Sequence, residues 1–161
     1  MKTGVKITKD NTKEFYKAVE ELTKKRVYVG IPAAEGNTRP DNGPNNALIG
    51  YTMEFGYPEN NVPARPALIP GVASVFTEIT NLLKQAGQKV LGGDFAVVNR
   101  VFTRIGIIGQ NAVQAKITNG PFQPLAPRTI AARQAKGNFS VKPLIDTGSY
   151  RQNITHVVLD K

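Results

Sequence analysis

The sequence predicts an α+β fold: a small antiparallel or mixed β-sheet packed against two long helices, with long loops rich in Pro and Gly. Three observations predict it. Residues 26–31 and 154–159 carry apolar and β-branched side chains at strand spacing. Residues 71–90 and 95–117 place apolar side chains at every third or fourth position, as one face of a helix requires. The stretches between these runs hold clusters of Pro, Gly, Asn and Asp that neither element tolerates. At 161 residues and 40% hydrophobic, the chain suffices for a single domain with a real core, residues 1–161.

Taken in order, residues 4–8 alternate apolar and polar as a short strand. Asn11 with Glu14 has the spacing of a helix-capping box. Phe15, Val19 and Leu22 then form the stripe of an amphipathic helix of about 14 residues. Val27, Val29 and Ile31 alternate with Arg26, Tyr28 and Gly30, which makes a strand. Residues 32–46 form a loop longer than compact domains usually carry. It reads either as a mobile surface loop or as a segment that orders against a neighbouring subunit.

Residues 46–55 are helical, and Gly56 stops them. Pro58, Pro63, Pro66 and Pro70 follow closely, so this segment is expected to be rigid and extended, neither helix nor central strand. It fixes Arg65 between constrained neighbours, so pairing Arg65 costs little entropy. Two readings stand for Arg65: a salt bridge within the chain, to Glu54 or Glu59, or a contact with a partner.

The helix over 71–90 ends at Gly92-Gly93, and Asp94 is placed to cap the next one. That longest helix, 95–117, carries its stripe on Phe95, Val98, Phe102, Ile105, Ile108, Ala112 and Ala115. Gly106 and Gly109 permit close approach of another backbone. A short helix over 127–136 tolerates Pro127 in its first turn and stops at Gly137. Asp146-Thr147-Gly148 makes a turn, with Asp146 or Thr147 capping one helical turn over 149–152, and a strand closes the chain.

The net charge of +9 suggests an anionic partner, nucleic acid first in line. No aromatic interleaving or recognition-helix pattern accompanies it, so sequence-specific nucleic-acid binding is not expected. The absence of Cys excludes disulfides and thiolate chemistry and removes most zinc sites. The polar opening residues lack the apolar core of a signal peptide, and no apolar run approaches the ~20 residues of a membrane span. His156 is the sole histidine and reads as structural; the acids are scattered; no phosphate-binding loop appears. Asp146-Thr147-Gly148 matches the aspartic-protease tripeptide but stands alone. The chain is therefore not expected to be an enzyme, and no catalytic, metal or cofactor residue is expected.

Residues 122–154 are rigid and basic, five Lys/Arg against the single acid Asp146, and carry no chemistry. Docking is their expected use. Arg128, Arg133 and Arg151 are expected to face another protein chain, joined at that interface by Arg65 and Tyr150. Pro63, Pro66, Pro124, Leu125, Asp146, Thr147 and Gly148 are expected to fix local geometry.

Three motifs in order carry a resemblance over residues 27–159. The first is Glu54-Phe55-Gly56 with Val62-Pro63-Ala64-Arg65-Pro66. The second runs from Pro124-Leu125 to Thr129-Ile130, and the third is Leu144-Ile145-Asp146-Thr147-Gly148 followed by Tyr150-Arg151 and Asn153-Ile154. Together they resemble the tail-completion and neck proteins of tailed bacteriophages, including the HK97 gp10-like and Mu gpG-like virion-morphogenesis groups. Departures are Ala67 where an aromatic follows Arg-Pro, Phe122 at the aromatic before Pro-Leu, and Tyr150 in place of Leu.

The resemblance implies a structural virion protein at the head-to-tail junction. It would form a ring, most often a hexamer, that completes or terminates the tail and joins it to the head connector. The implied partners are copies of itself, the connector or adaptor, tail-tube proteins, and genomic DNA passing through the lumen, with no membrane. The implied location is the neck or tail of the virion, after assembly in the host cytoplasm. The basic residues would meet either DNA phosphate or acidic neighbouring proteins. The alternative is a basic nucleic-acid-binding accessory protein.

Overall fold

The computed structural model describes residues 10–32 and 45–161. The strand expected over 4–8, and all but the ends of the loop expected over 32–46, lie outside the described residues. Chain order is α1 (Thr12–Thr23), β1 (Lys25–Gly30), α2 (Asn46–Phe55), α3 (Leu68–Ser74), α4 (Phe76–Leu91), α5 (Val97–Asn119), α6 (Pro127–Ala135), α7 (Ser149–Gln152) and β2 (Thr155–Asp160). This is the expected α+β class, and the sheet is antiparallel.

Helix α5 is apolar on more than one side, and the other elements pack around it. At 23 residues it extends about 34 Å. Its buried positions are Val97, Val98, Phe102, Ile105, Gly106, Gly109, Val113 and Ile117. The expected stripe holds through Ile105 and then turns away from Ala112 and Ala115 towards Val113 and Ile117. The glycines explain the turn. A Cβ on Gly106 would overlap the His156 ring, and one on Gly109 would come within 2.9 Å of Val29 Cγ2. The missing side chains thus let the sheet lie against the helix, and what approaches is strand side chain.

Register then sorts the strands. Val27 pairs with Val158 and Val29 with His156, and all four are partly buried on the α5 side. Tyr28 pairs with Val157 and Arg26 with Leu159 on the exposed face. His156 packs against Gly106, and its Nδ1 lies 2.7 Å from Gln110 Oε1.

Two apolar cores sit at the two ends of α5. At its N-terminal end, Val97, Val98 and Phe102 pack with Ala18 of α1 and Val90 of α4. At its C-terminal end, Val113 and Ile117 pack with Ala67, Leu144, Tyr150 and Ile154. The sheet bridges them, Val27 and Val158 joining the first and Val29 the second.

Four local expectations are corrected. Asn11 makes no capping bond; Asp10 Oδ1 instead accepts from Thr12 N–H at 2.9 Å. Asp94 does not cap α5, which begins at Val97, but pairs with Arg100 at 3.6 Å. The helix expected over 71–90 is two helices broken at Val75, and the first begins at Leu68 and includes Pro70. Pro70 is tolerated because a first-turn residue needs no intrahelical N–H bond. Phe15 and Val19 do not reach the core: only Ala18 of α1 is fully buried, and Phe15 and Val19 are exposed.

Candidate partner-binding site

Residues 56–67 and 120–148 contain little regular structure besides α6, so their geometry depends on polar contacts. Glu54, at the end of α2 and 8% exposed, supplies the first. Its Oε2 accepts from Ala67 N–H at 2.8 Å and Leu68 N–H at 2.9 Å, and its Oε1 from Ile69 N–H at 2.9 Å. One carboxylate thus takes the N–H groups that the start of α3 leaves without helical partners.

Arg65 supplies the second. Pro66 follows it directly and biases it away from helix, and its own N–H donates to Met53 O at 2.6 Å. Its Nε donates to Gln123 O at 2.9 Å and its Nη2 to Pro124 O at 3.0 Å. The guanidinium therefore ties the first motif to the second across 58 residues of chain. Arg65 is 7% exposed, and the described acids form no ion pair with it. Burial first, and then the nearby Arg133 charge, hold its pKa below the usual value.

Arg133 of α6 supplies the third. Its Nη1 donates to Ser140 O, Lys142 O and Ile145 O at 3.0–3.1 Å, and its Nε lies 3.4 Å from Asp146 Oδ1. Asn138 Nδ2 donates to the same Asp146 oxygen at 2.6 Å. These bonds surround Leu144, which is buried with φ at +61°. A non-glycine residue there costs on the order of 1 kcal/mol, and the Arg133 bonds on both sides hold the chain in place. Thr147 Oγ1 accepts from Ser149 N–H at 3.3 Å and caps the turn into α7.

The three motifs consequently enclose one cavity of about 350 Å³. Ile49, Met53, Val62, Leu125 and Leu144 give it an apolar wall, and Arg65, Arg128, Arg133 and Asp146 supply its charges. Tyr150 forms part of the wall, and burial, then the Glu54 charge, push its phenol up to about 12. Pro63, Asp146, Thr147 and Gly148 also line it, whereas Pro66 and Pro124 act through the backbone around Arg65.

The expected interface residues separate into two groups. Arg65, Arg133 and Tyr150, expected at an interface, make their described contacts within the chain, at the cavity. Arg65 and Arg133 donate to backbone carbonyls, and Tyr150, 8% exposed, belongs to the core. Neither internal salt bridge expected for Arg65 forms, because Glu54 is occupied at α3. Arg151 is half-buried and donates to Thr118 Oγ1 at 3.2 Å. Arg128 alone of the five is exposed, at the cavity wall. The carboxylate of Glu54 as a helix cap was not foreseen; its place one residue before Phe55-Gly56, ahead of the proline segment, was the available signal.

Among the described residues, no group of three or more His, Cys, Asp or Glu is placed to hold a metal ion. No described helix is long and apolar enough to cross a membrane. No protein-family model, no curated protein and no solved structure matches this chain.

Proposed function

We propose that this chain is a structural protein of the head-to-tail junction of a tailed bacteriophage. In this reading its copies form a ring that completes or terminates the tail and joins it to the head connector. The observation that carries the reading is the convergence of the three motifs. They stand up to 100 residues apart in the chain, Glu54 to Ile154, yet they build one interlocked unit around a single cavity.

The surface is compatible with ring closure. A ring needs two different patches on each copy, because its contacts are head-to-tail. One candidate patch lies on α2 and α3, where Tyr51, Phe55 and Ile69 are 64%, 58% and 57% exposed. The other lies on α1, where Phe15 and Tyr16 are exposed beside Leu91. The first adjoins the core at the C-terminal end of α5 and the second the core at its N-terminal end.

Electron microscopy of the purified protein mixed with separated tails tests the reading. The expected result is a ring seated at one tail end. A protein that leaves tails bare and binds DNA with a steep salt dependence would favour the nucleic-acid-binding alternative. That alternative draws on the net charge of +9 and on the exposed Arg100 and Arg104 of α5.

A further inference from the structure

The cavity between the motifs has an unbalanced charge. Three arginines, Arg65, Arg128 and Arg133, line it against one carboxylate, Asp146. Asp146 already serves Arg133 and Asn138. Arg65 is more than nine-tenths buried, and its described hydrogen-bond partners are neutral carbonyls. Those two bonds use two of its five N–H groups. A buried charge without a counter-ion is costly, and that cost falls when an anion enters. The Arg128 side chain makes no hydrogen bond or ion pair with the described residues and stands exposed at the cavity wall. With a volume of about 350 Å³, the cavity is at the small end of ligand sites, which span roughly 300–1,000 Å³.

We propose that this cavity binds a carboxylate carried beside an apolar side chain on a segment of another protein chain. The carboxylate sits between Arg65 and Arg128, and the apolar side chain rests on Met53, Val62 and Leu125. Two observations favour this ligand over a phosphate. One side of the wall is apolar, formed by Ile49, Met53, Val62, Leu125 and Leu144, which suits a side chain and not a nucleic-acid backbone. Asp146 also stands in the same cavity, and it repels a dianion more than a monoanion. The proposal goes beyond ring assembly and does not depend on it, because binding is read on the purified chain alone.

The test is a titration of the full-length protein, followed by nitrogen–proton NMR. The probe is the end-blocked peptide acetyl-Leu-Glu-Leu-amide, whose sole charge is the glutamate, compared with its glutamine counterpart and with inorganic phosphate. The expected result is saturable binding with a Kd of order 1 mM. It should shift the Arg65 Nε–H and the backbone amides of Thr147 and Ser149. The glutamine peptide should bind about tenfold more weakly. Arg128→Gln should weaken the glutamate peptide about fivefold while leaving the rest of the spectrum in place, since Arg128 holds no part of the fold. Equal binding of the two peptides, no saturation, no effect of Arg128→Gln, or phosphate binding more tightly than the glutamate peptide would each overturn the proposal.

Discussion

The two ends of α5 meet the same requirement, covering an apolar helix, by different means. At the C-terminal end the short helices α2, α3 and α7 share the covering with loop segments, and charged side chains hold those segments. Glu54 starts α3, Arg65 joins two proline segments, and Arg133 braces the turn around Leu144. At the N-terminal end the covering chain is regular helix, and its charges stay on the surface. Lys24 pairs with Glu20 and Glu21 in exposed positions, where such pairs contribute little. Apolar area is left open there: Phe15 is 52% and Tyr16 68% exposed. The contrast teaches that one end is tied by charged side chains to backbone groups, while the other is closed by helix packing; both leave apolar side chains exposed, Tyr51, Phe55 and Ile69 at the first and Phe15 and Tyr16 at the second.

Substitutions at the two ends should therefore differ in kind. The largest effect is expected for Glu54→Ala, which strips three N–H groups of their acceptor and should destabilise the chain by about 3–5 kcal/mol in denaturant unfolding. A loss under about 1 kcal/mol would mean that the C-terminal end does not depend on its buried charges. Arg65→Met keeps most of the side-chain bulk but abandons the carbonyls of Gln123 and Pro124, and about 2–3 kcal/mol should go.

Tyr150 tests the same end by pH. An unfolded tyrosine ionises near pH 10, whereas Tyr150 in the folded chain ionises near 12. Between those values the folded chain keeps a proton that the unfolded chain has lost. The contribution is therefore complete below about pH 10 and is lost as pH rises towards 12, an amount of roughly 2–3 kcal/mol. Urea midpoints taken across this range should fall more steeply for the natural chain than for Tyr150→Phe. Parallel slopes would reject the role of burial.

Gly106→Ala probes the sheet shared by both ends. The added methyl meets the His156 ring and should cost about 1–3 kcal/mol in thermal unfolding. The smallest effect on stability belongs to Phe15→Ser, below about 0.5 kcal/mol. That variant should nonetheless impair assembly in sedimentation, and unaltered assembly would remove α1 from the interface.

What could be read from the sequence follows the same division. Periodicity located α1, α5 and both described strands, while the boundary residues Gly56, Pro127 and Gly137 marked the limits of α2 and α6. It could not show that Phe15 and Val19 stay exposed, since an exposed stripe has the same spacing as a stripe buried in its own chain. The proline segment hid α3, whose start depends on a carboxylate thirteen residues earlier in the chain. The rigidity of Arg65 was legible, but its direction was not. A guanidinium fixed by prolines serves equally well for a partner or for carbonyls 58 residues away, and sequence spacing does not encode that distance.

Native mass spectrometry of the purified full-length chain tests the proposed ring most directly. The expected result is a discrete closed oligomer, a hexamer, that falls to monomer when Phe15 and Tyr51 are both changed to Ser while each chain remains folded. A natural chain that stays monomeric at every concentration would contradict the account.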